Sequence, residues 1–383
     1  MKYSKNLKFF VENRIFFITE TNHNGQIGYY CIFLLNNLRM CFFCCNFAEN
    51  LSSHHTMALK GKYEHAHWAV KVIQWLGCIF LLSIVAGISI FLFEQPLSIE
   101  ALKWIQFVQQ TALFLLPPLC VAYLWSKQPL EWLRVYPLPL PESTQKGNLF
   151  QGSRQGKGVR TGIWAMTLML VALPAINLLG YWNQQMTLPS FLEPLEQWMK
   201  TQEESAKILT EQFMNVTTIG GLLINLLLMA LLPALAEELT FRGVLQRLFQ
   251  TKGEKGDEAR RREGERVPHL AIWCSAILFS SIHMQFYGFV PRMLMGALFG
   301  YMLVWTGSLW IPILMHFTNN AMAVLLYFVT LRQGWDMDKV DAIGTNDTLW
   351  LGVVSMVITI IGIYAFRRST TMSNASSRIS KGN

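Results

Sequence analysis

The chain has 383 residues, 52% of them apolar and only 15% charged, against about a quarter charged in an ordinary soluble domain. With 25 Phe, 18 Met and 13 Trp, it is neither a disordered nor a collagen-like chain, and its main solvent is expected to be lipid. The net charge of +8 does not by itself imply a polyanion partner, because membrane proteins carry basic cytoplasmic loops.

Residues 1–56 are rich in Asn, Phe and Cys and show no clean periodicity. They also lack the small-residue cleavage site of a signal peptide. Met57 opens a more ordinary beginning, MALKGKYEHAHWAVK, which runs directly into an apolar stretch. The expectation is that translation starts at Met57 and that 1–56 is a non-core extension. Cysteine use gives no disulfide framework: four of the seven cysteines precede Met57, and Cys78, Cys120 and Cys274 are isolated in apolar stretches. Cys41-x-x-Cys44 is half of a zinc or redox motif without its second half.

A bilayer core needs roughly 20 apolar residues per helix. Eight candidate spans follow in order: 72–93, 104–125, 163–182, 219–236, 270–287, 290–306, 311–331 and 348–366. Pro291 and Pro312 begin the sixth and seventh, where a missing N–H is harmless. Gly296 and Gly300 form a small-xxx-small pair suited to close helix packing. The fold class expected is therefore all-α, a multi-pass membrane helix bundle of about eight spans.

The loops alternate in charge. Loop 126–162 carries Lys127, Arg134, Lys146, Arg154, Lys157 and Arg160 against two acidic residues, and loop 239–268 includes Arg260, Arg261 and Arg262. Loop 183–218 is acidic, with Glu193, Glu196, Glu203, Glu204 and Glu211 against Lys200 and Lys207. Basic loops inside place both termini in the cytoplasm, as an even span count requires. Within 183–218, Leu195, Trp198, Met199, Ile208, Leu209 and Phe213 recur at helical spacing, which predicts an amphipathic helix on the outer surface covering the bundle. The run KGEKGDEARRREGER reads as a solvated hairpin. Nucleic-acid binding is not expected, because no aromatic residues interleave its charges.

Polar residues inside spans are costly and usually functional. The fourth span ends in Glu237, Glu238 and Arg242, the fifth contains Phe279 and His283, and the seventh contains His316, Asn319 and Asn320. Glu238 and Arg242 are i,i+4 and can pair. Glu237 lies about 100° further round the helix and is free to point into the bundle. His316 and Asn320 share another i,i+4 face. Convergence of these groups in a polar intramembrane cavity would suit hydrolysis, with a carboxylate as general base and an amide N–H₂ as oxyanion donor. Glu237, His283 and His316 could equally hold a zinc ion with an open water position. Arg292, near the start of the sixth span, reads as an interfacial snorkelling anchor.

The ordered set Glu237-Glu238-x-x-x-Arg242, Phe279-x-x-x-His283 and His316-x-x-x-Asn320 resembles the CAAX-protease and bacteriocin-processing (Abi) family of intramembrane proteases, related to the prenyl-protein endoprotease. The resembling stretch covers roughly 219–327. The resemblance implies a catalytic core over 219–331, preceded by helices and an amphipathic loop over 57–218 and followed by a last span and cytoplasmic tail over 332–383. It implies an endopeptidase acting on a membrane-associated protein or peptide, of CAAX type or a bacteriocin or leader. In it, Glu237 would activate water with His283 assisting, His316 and Asn320 would be oxyanion partners, and Glu238, Arg242 and Phe279 would support them. Metal dependence stays open, with zinc the candidate. The alternatives are a non-enzymatic immunity or scaffold protein and a proton-coupled transporter. The short loops suggest a bacterial cytoplasmic membrane.

Overall fold

The computed structural model describes residues 8–12, 15–21, 27–31, 59–93, 97–135, 151–251, 267–336, 340 and 342–379. Met57, the Cys41-x-x-Cys44 pair and the charged run 252–266 lie outside the described residues. Two compact units are present, residues 1–62 and 63–383.

In the first unit, β1 (Lys8–Glu12), β2 (Ile15–Thr21) and β3 (Ile27–Cys31) form an antiparallel sheet in the order β1-β2-β3, with Lys8 opposite Thr19 and Phe17 opposite Cys31. The sequence had shown no clean alternation there. What the strands share is composition: KFFVE, IFFITET and IGYYC are aromatic and β-branched, residues that suit a pleated ribbon. Asn24-Gly25 falls between β2 and β3, a turn-forming pair.

The second unit is all-α. Its helices are α1 (Trp68–Ile88), α2 (Ile99–Trp125), α3 (Gln151–Gln184), α4 (Glu193–Met214), α5 (Ile219–Gln250), α6 (His269–Ser281), α7 (Phe289–Thr306), α8 (Trp310–Gln333) and α9 (Leu349–Ile379). Seven of them, all but α4 and α6, are long and apolar enough to cross a bilayer, so this is a multi-pass integral membrane protein. The fifth predicted span is the exception. α6 has 13 residues, about 20 Å at 1.5 Å per residue, too short for a hydrocarbon core of about 30 Å. Its apolar run continues past Ser281 in the sequence, but the backbone turns at Met284, which has a φ of 55°.

Prolines shape the long helices. α2 and α5 contain wider π-type stretches at Gln110–Leu115 and Leu226–Leu231, shortly before Pro117-Pro118 and Pro233, and α5 has a second at Leu239–Leu245, around Arg242, with no proline after it. A proline ring presses on the preceding turn and lacks an N–H, and a widened turn accommodates it. In α3, Pro174 opens the ladder instead. Ser355 of α9 fills the gap, accepting from the Ala175 N–H and donating to the Val171 carbonyl.

α6 and α7 form a tight hairpin. Gly296 and Gly300 lie in its seam: a Cβ on Gly300 would sit 2.9 Å from Ile272 Cγ2, and one on Gly296 would sit 3.1 Å from Phe279 Cδ1. The expected small-residue packing is thus present. The α6–α7 turn meets the end of α3, where Asn183 donates to the Phe286 carbonyl and accepts from the Val290 N–H. The predicted amphipathic helix is α4, with Met199 and Phe213 buried and Leu195, Trp198, Ile208 and Leu209 exposed. It covers that turn, with Glu203 accepting from the Tyr287 N–H and Trp198 against Phe286. At the opposite end of the bundle, Arg247 donates to the Trp132 carbonyl and the Leu309 N–H donates to Arg134.

Candidate active site

The polar residues singled out from the sequence meet in one place. A cavity of about 360 Å³ lies within the bundle, lined by Glu237, Phe279, His283, His316 and Asn320 among others. Three helices and the α6–α7 turn supply these groups, and Thr210 and Met214 of α4 close one side.

Glu237 and Glu238 diverge as the helical spacing requires. Glu238 is fully buried, and its Oε1 accepts from Arg242 Nη1 at 2.8 Å and meets His316 Nδ1 at 2.9 Å. Arg242 is held further by Nη2 donating to the Gly296 carbonyl at 2.9 Å, and its guanidinium lies 4.5 Å from the Phe279 ring centre and 5.4 Å from that of Phe299. A buried charge needs this much compensation. Phe279 also packs edge-on against His283 and His316, while Phe299 stacks on His316. Both imidazoles are thereby fixed in plane.

Glu237 faces the cavity. Its Oε1 accepts from Gln110 Nε2 of α2 at 3.2 Å. Its Oε2 is buried with no hydrogen-bond partner, and lies 3.9 Å from His283 Nε2 and 3.9 Å from His316 Nε2. The partners of the two rings assign their protons. His283 Nδ1 sits 2.8 Å from the Phe279 carbonyl, which can only accept, so Nδ1 carries the proton. The same holds for His316 Nδ1 against the Glu238 carboxylate. In their neutral forms both rings therefore turn an Nε2 lone pair toward Glu237 Oε2. Three acceptors surround one gap, and what fills such a gap must donate protons or accept lone pairs.

A water molecule satisfies the first condition. A cation satisfies the second, since two imidazole nitrogens and one carboxylate oxygen are the donor types of a zinc site. At these separations, no group of three or more His, Cys, Asp or Glu among the described residues has metal-holding geometry.

His316 differs from its expected role as an oxyanion donor. Its one neutral N–H is committed to Glu238, which leaves it an acceptor toward the cavity. Asn320 also lines the cavity, and Asn319 Nδ2 donates to its Oδ1 at 3.1 Å. Arg292 differs too. It is half-buried in the cavity wall and donates to Gln285, a placement the snorkelling reading does not include. Gln110 and Gln285 are polar groups at the site that the sequence reading does not name, and Asn319 is named there only as part of its cluster, without a role. Gln110 carried a usable signal, a polar side chain inside an apolar span just before two prolines.

Comparison with known proteins bears on the same stretch. Residues 219–322 match the family model described as type II CAAX prenyl endopeptidase Rce1-like, so this stretch carries an Rce1-like domain. The chain is also 28% identical over 101 residues, 25% of its length, to an uncharacterized protein, YpbD, of Bacillus subtilis strain 168. It spans 42% of the length of that relative. No solved structure matches it.

Proposed function

We propose that the protein is an intramembrane endopeptidase in which Glu237 activates a water molecule. The observation that carries this reading is the orphaned Oε2 of Glu237, buried and flanked at 3.9 Å by two imidazole lone pairs. A water in that gap donates to Glu237 Oε2 and to an Nε2. As its oxygen attacks a peptide carbonyl, Glu237 takes its proton. The carbonyl oxygen becomes an oxyanion and accepts from the Asn320 N–H₂. Collapse breaks the C–N bond, and the proton on Glu237 passes to the departing amine. His283 and His316 hold the water, and Glu238, Arg242 and Phe279 hold the histidines. If a zinc ion binds, Glu237, His283 and His316 would hold it, and it would polarise the bound water.

The substrate is a membrane-associated protein or peptide, of CAAX type in keeping with the Rce1-like match or a bacteriocin or leader, reached from lipid through the cavity. The bundle end that bears Arg134 and Arg247 faces the cytoplasm, since basic loops stay inside. The membrane is a bacterial cytoplasmic membrane, in keeping with the Bacillus relative.

The test is cleavage of a prenylated or membrane-anchored peptide in detergent by wild type, Glu237→Gln, Glu237→Ala and His283→Ala, each with and without chelator. Undiminished cleavage by all three variants sinks the assignment. Loss of wild-type activity on chelation, with recovery on added zinc, assigns the gap to metal.

A further inference from the structure

The end of the bundle away from α4 is marked by tryptophans. Trp68 begins α1 and Trp310 begins α8, while Trp125 ends α2 and Trp132 follows in the one-turn helix Pro129–Trp132. Indole rings collect where hydrocarbon meets water, so this level of the molecule lies at the headgroup layer of a leaflet. The rings are fixed there. Trp68 Nε1 donates to the Leu248 carbonyl at 2.8 Å and Trp125 Nε1 to Gln74 Oε1 at 2.7 Å, and Trp132 meets Trp125 edge-on. A notch of about 10 Å³ lies among these helix ends, lined in part by Trp132, Arg134, Arg242 and Arg247. That volume holds one water-sized group, such as a single phosphoryl oxygen.

Three guanidinium side chains therefore gather at one notch, and like charges repel. Arg242 is neutralised from its far side by Glu238. Arg247 is held in place, donating to the Trp132 carbonyl with its guanidinium 4.6 Å from the Trp132 ring centre. The Arg134 side chain has no hydrogen bond or ion pair among the described residues. Its backbone is also unusual. The Arg134 N–H donates to the Glu131 carbonyl and the Val135 N–H to the Leu130 carbonyl. These are the paired bonds of a helix-ending turn whose left-handed position glycine usually fills. Arg134 fills it here, with a φ of 58°. A strained position kept by a long cationic side chain points to a use for that side chain.

We propose that Arg134 and Arg247 bind an anionic phosphate group, supplied by a phospholipid headgroup of the adjoining leaflet or by free phosphate, with one phosphoryl oxygen in the notch. The site is separate from the hydrolytic cavity, and the proposal does not depend on the peptidase reading. Guanidinium forks match phosphate oxygens in paired, charge-assisted hydrogen bonds, and a phosphate there relieves the repulsion among the three arginines.

The test uses the full chain in a neutral, lipid-free detergent, titrated with phosphatidylglycerol or phosphatidylcholine, with bound lipid read by native mass spectrometry. The quantity compared is the ratio of the two affinities, anionic over zwitterionic. Wild type is expected to favour phosphatidylglycerol by roughly 10-fold. In Arg134→Gly and Arg247→Gln the ratio falls toward one. Lys207→Gln, which removes an equal charge from α4, leaves it at the wild-type value. Arg134→Gly carries a second expectation of opposite sign. Glycine suits the left-handed backbone, so the unfolding temperature without lipid should hold or rise while the lipid preference falls. Sodium phosphate against sodium chloride at equal ionic strength separates the two sources. Stabilisation of wild type by phosphate that is absent from Arg134→Gly, without a lipid preference, keeps the site and assigns its phosphate to solution. A wild type that responds to neither lipid charge nor phosphate overturns the proposal. So does a lipid ratio that survives unchanged in both arginine variants, or one that Lys207→Gln abolishes as fully as they do. A lower unfolding temperature of Arg134→Gly with an unchanged ratio would make Arg134 a structural residue, and that also overturns it.

Discussion

The outer and inner helices of the bundle are built on opposite terms. The apolar windows of α1 and α9 are only 17% buried, whereas that of α8 is 44% buried. Along α9, Val357, Ile358, Ile360, Ile361 and Tyr364 are all exposed, and lipid is solvent enough for them. Inside, α5 and α8 bury Glu237, Glu238, Arg242 and His316, groups that lipid cannot solvate and that must satisfy one another. The difference teaches where sequence changes will be felt. Outside, apolar side chains are interchangeable; inside, Glu238, Arg242 and His316 hold one another, while Glu237 Oε2 is buried without a hydrogen-bond partner and faces the cavity.

The largest effect should come from Glu237. Glu237→Gln keeps the shape and the contact with Gln110 but removes the base, and the expected loss of kcat is roughly 10²- to 10⁴-fold, read by cleavage assay, with unfolding temperature in detergent little changed. A comparable loss of stability without loss of turnover would move Glu237 to the structural side of the comparison.

Glu238→Ala tests the structural side. It strands Arg242 in the core and frees His316 Nδ1. Breaking a buried pair by removing one partner costs about 3–5 kcal/mol, so the variant should unfold at markedly lower temperature. The two adjacent glutamates then separate by measurement, one by rate and the other by stability.

Gly300→Ala comes next. The added carbon would lie 2.8 Å from Gln246 Oε1, which can swing away, and 2.9 Å from Ile272 Cγ2, which sits in the packed hairpin. Overpacking of this kind costs about 1–3 kcal/mol. On the outer face, Ile361→Leu should change stability by less than about 0.5 kcal/mol, and a larger change would mean that α9 meets protein there.

How much of this was legible in the sequence follows from the range of each signal. Local geometry was legible. The i,i+4 pair of Glu238 and Arg242 and the turn of Glu237 away from that pair into the bundle follow from the helical repeat, and both are present as read. The three polar clusters were found because lipid makes such residues conspicuous. Contacts set by tertiary packing were not legible. Gln110 reaches Glu237 across 127 positions, and no periodicity encodes that. The same holds for Arg292, whose sequence context resembles an interfacial anchor and whose position in the cavity depends on Gln285 and the turn at Met284. Hydropathy also carried the fifth span too far, because Ile282, Met284 and Phe286 are apolar whether the backbone is helical or turning.

The smallest expected effect lies outside the spans, at the start of α4. Glu196 accepts from the Leu188 N–H at 2.9 Å and from Lys200 at 2.7 Å. Lys200 first, then the Leu188 amide, hold its carboxyl below the usual glutamate range, while Glu196 holds the Lys200 ammonium above its usual range. The sign follows from linkage. A carboxyl whose folded pKa is depressed contributes stability that is present above its unfolded pKa and lost as pH falls through the folded one. The partner lysine contributes in the opposite direction, losing its share only as pH rises through its raised folded value. Acidification below the ordinary glutamate range should therefore release the Leu188 amide, seen as faster hydrogen exchange there and at the first turn of α4. The pair is solvent-screened through Lys200, whose side chain is 62% exposed, so the global unfolding temperature should barely move. Because α4 covers the α6–α7 turn and supplies Thr210 and Met214 to the cavity wall, faster exchange confined to its first turn would leave the site closed. Exchange spreading to Tyr287 would show instead that this surface pair helps hold the cover over the buried one.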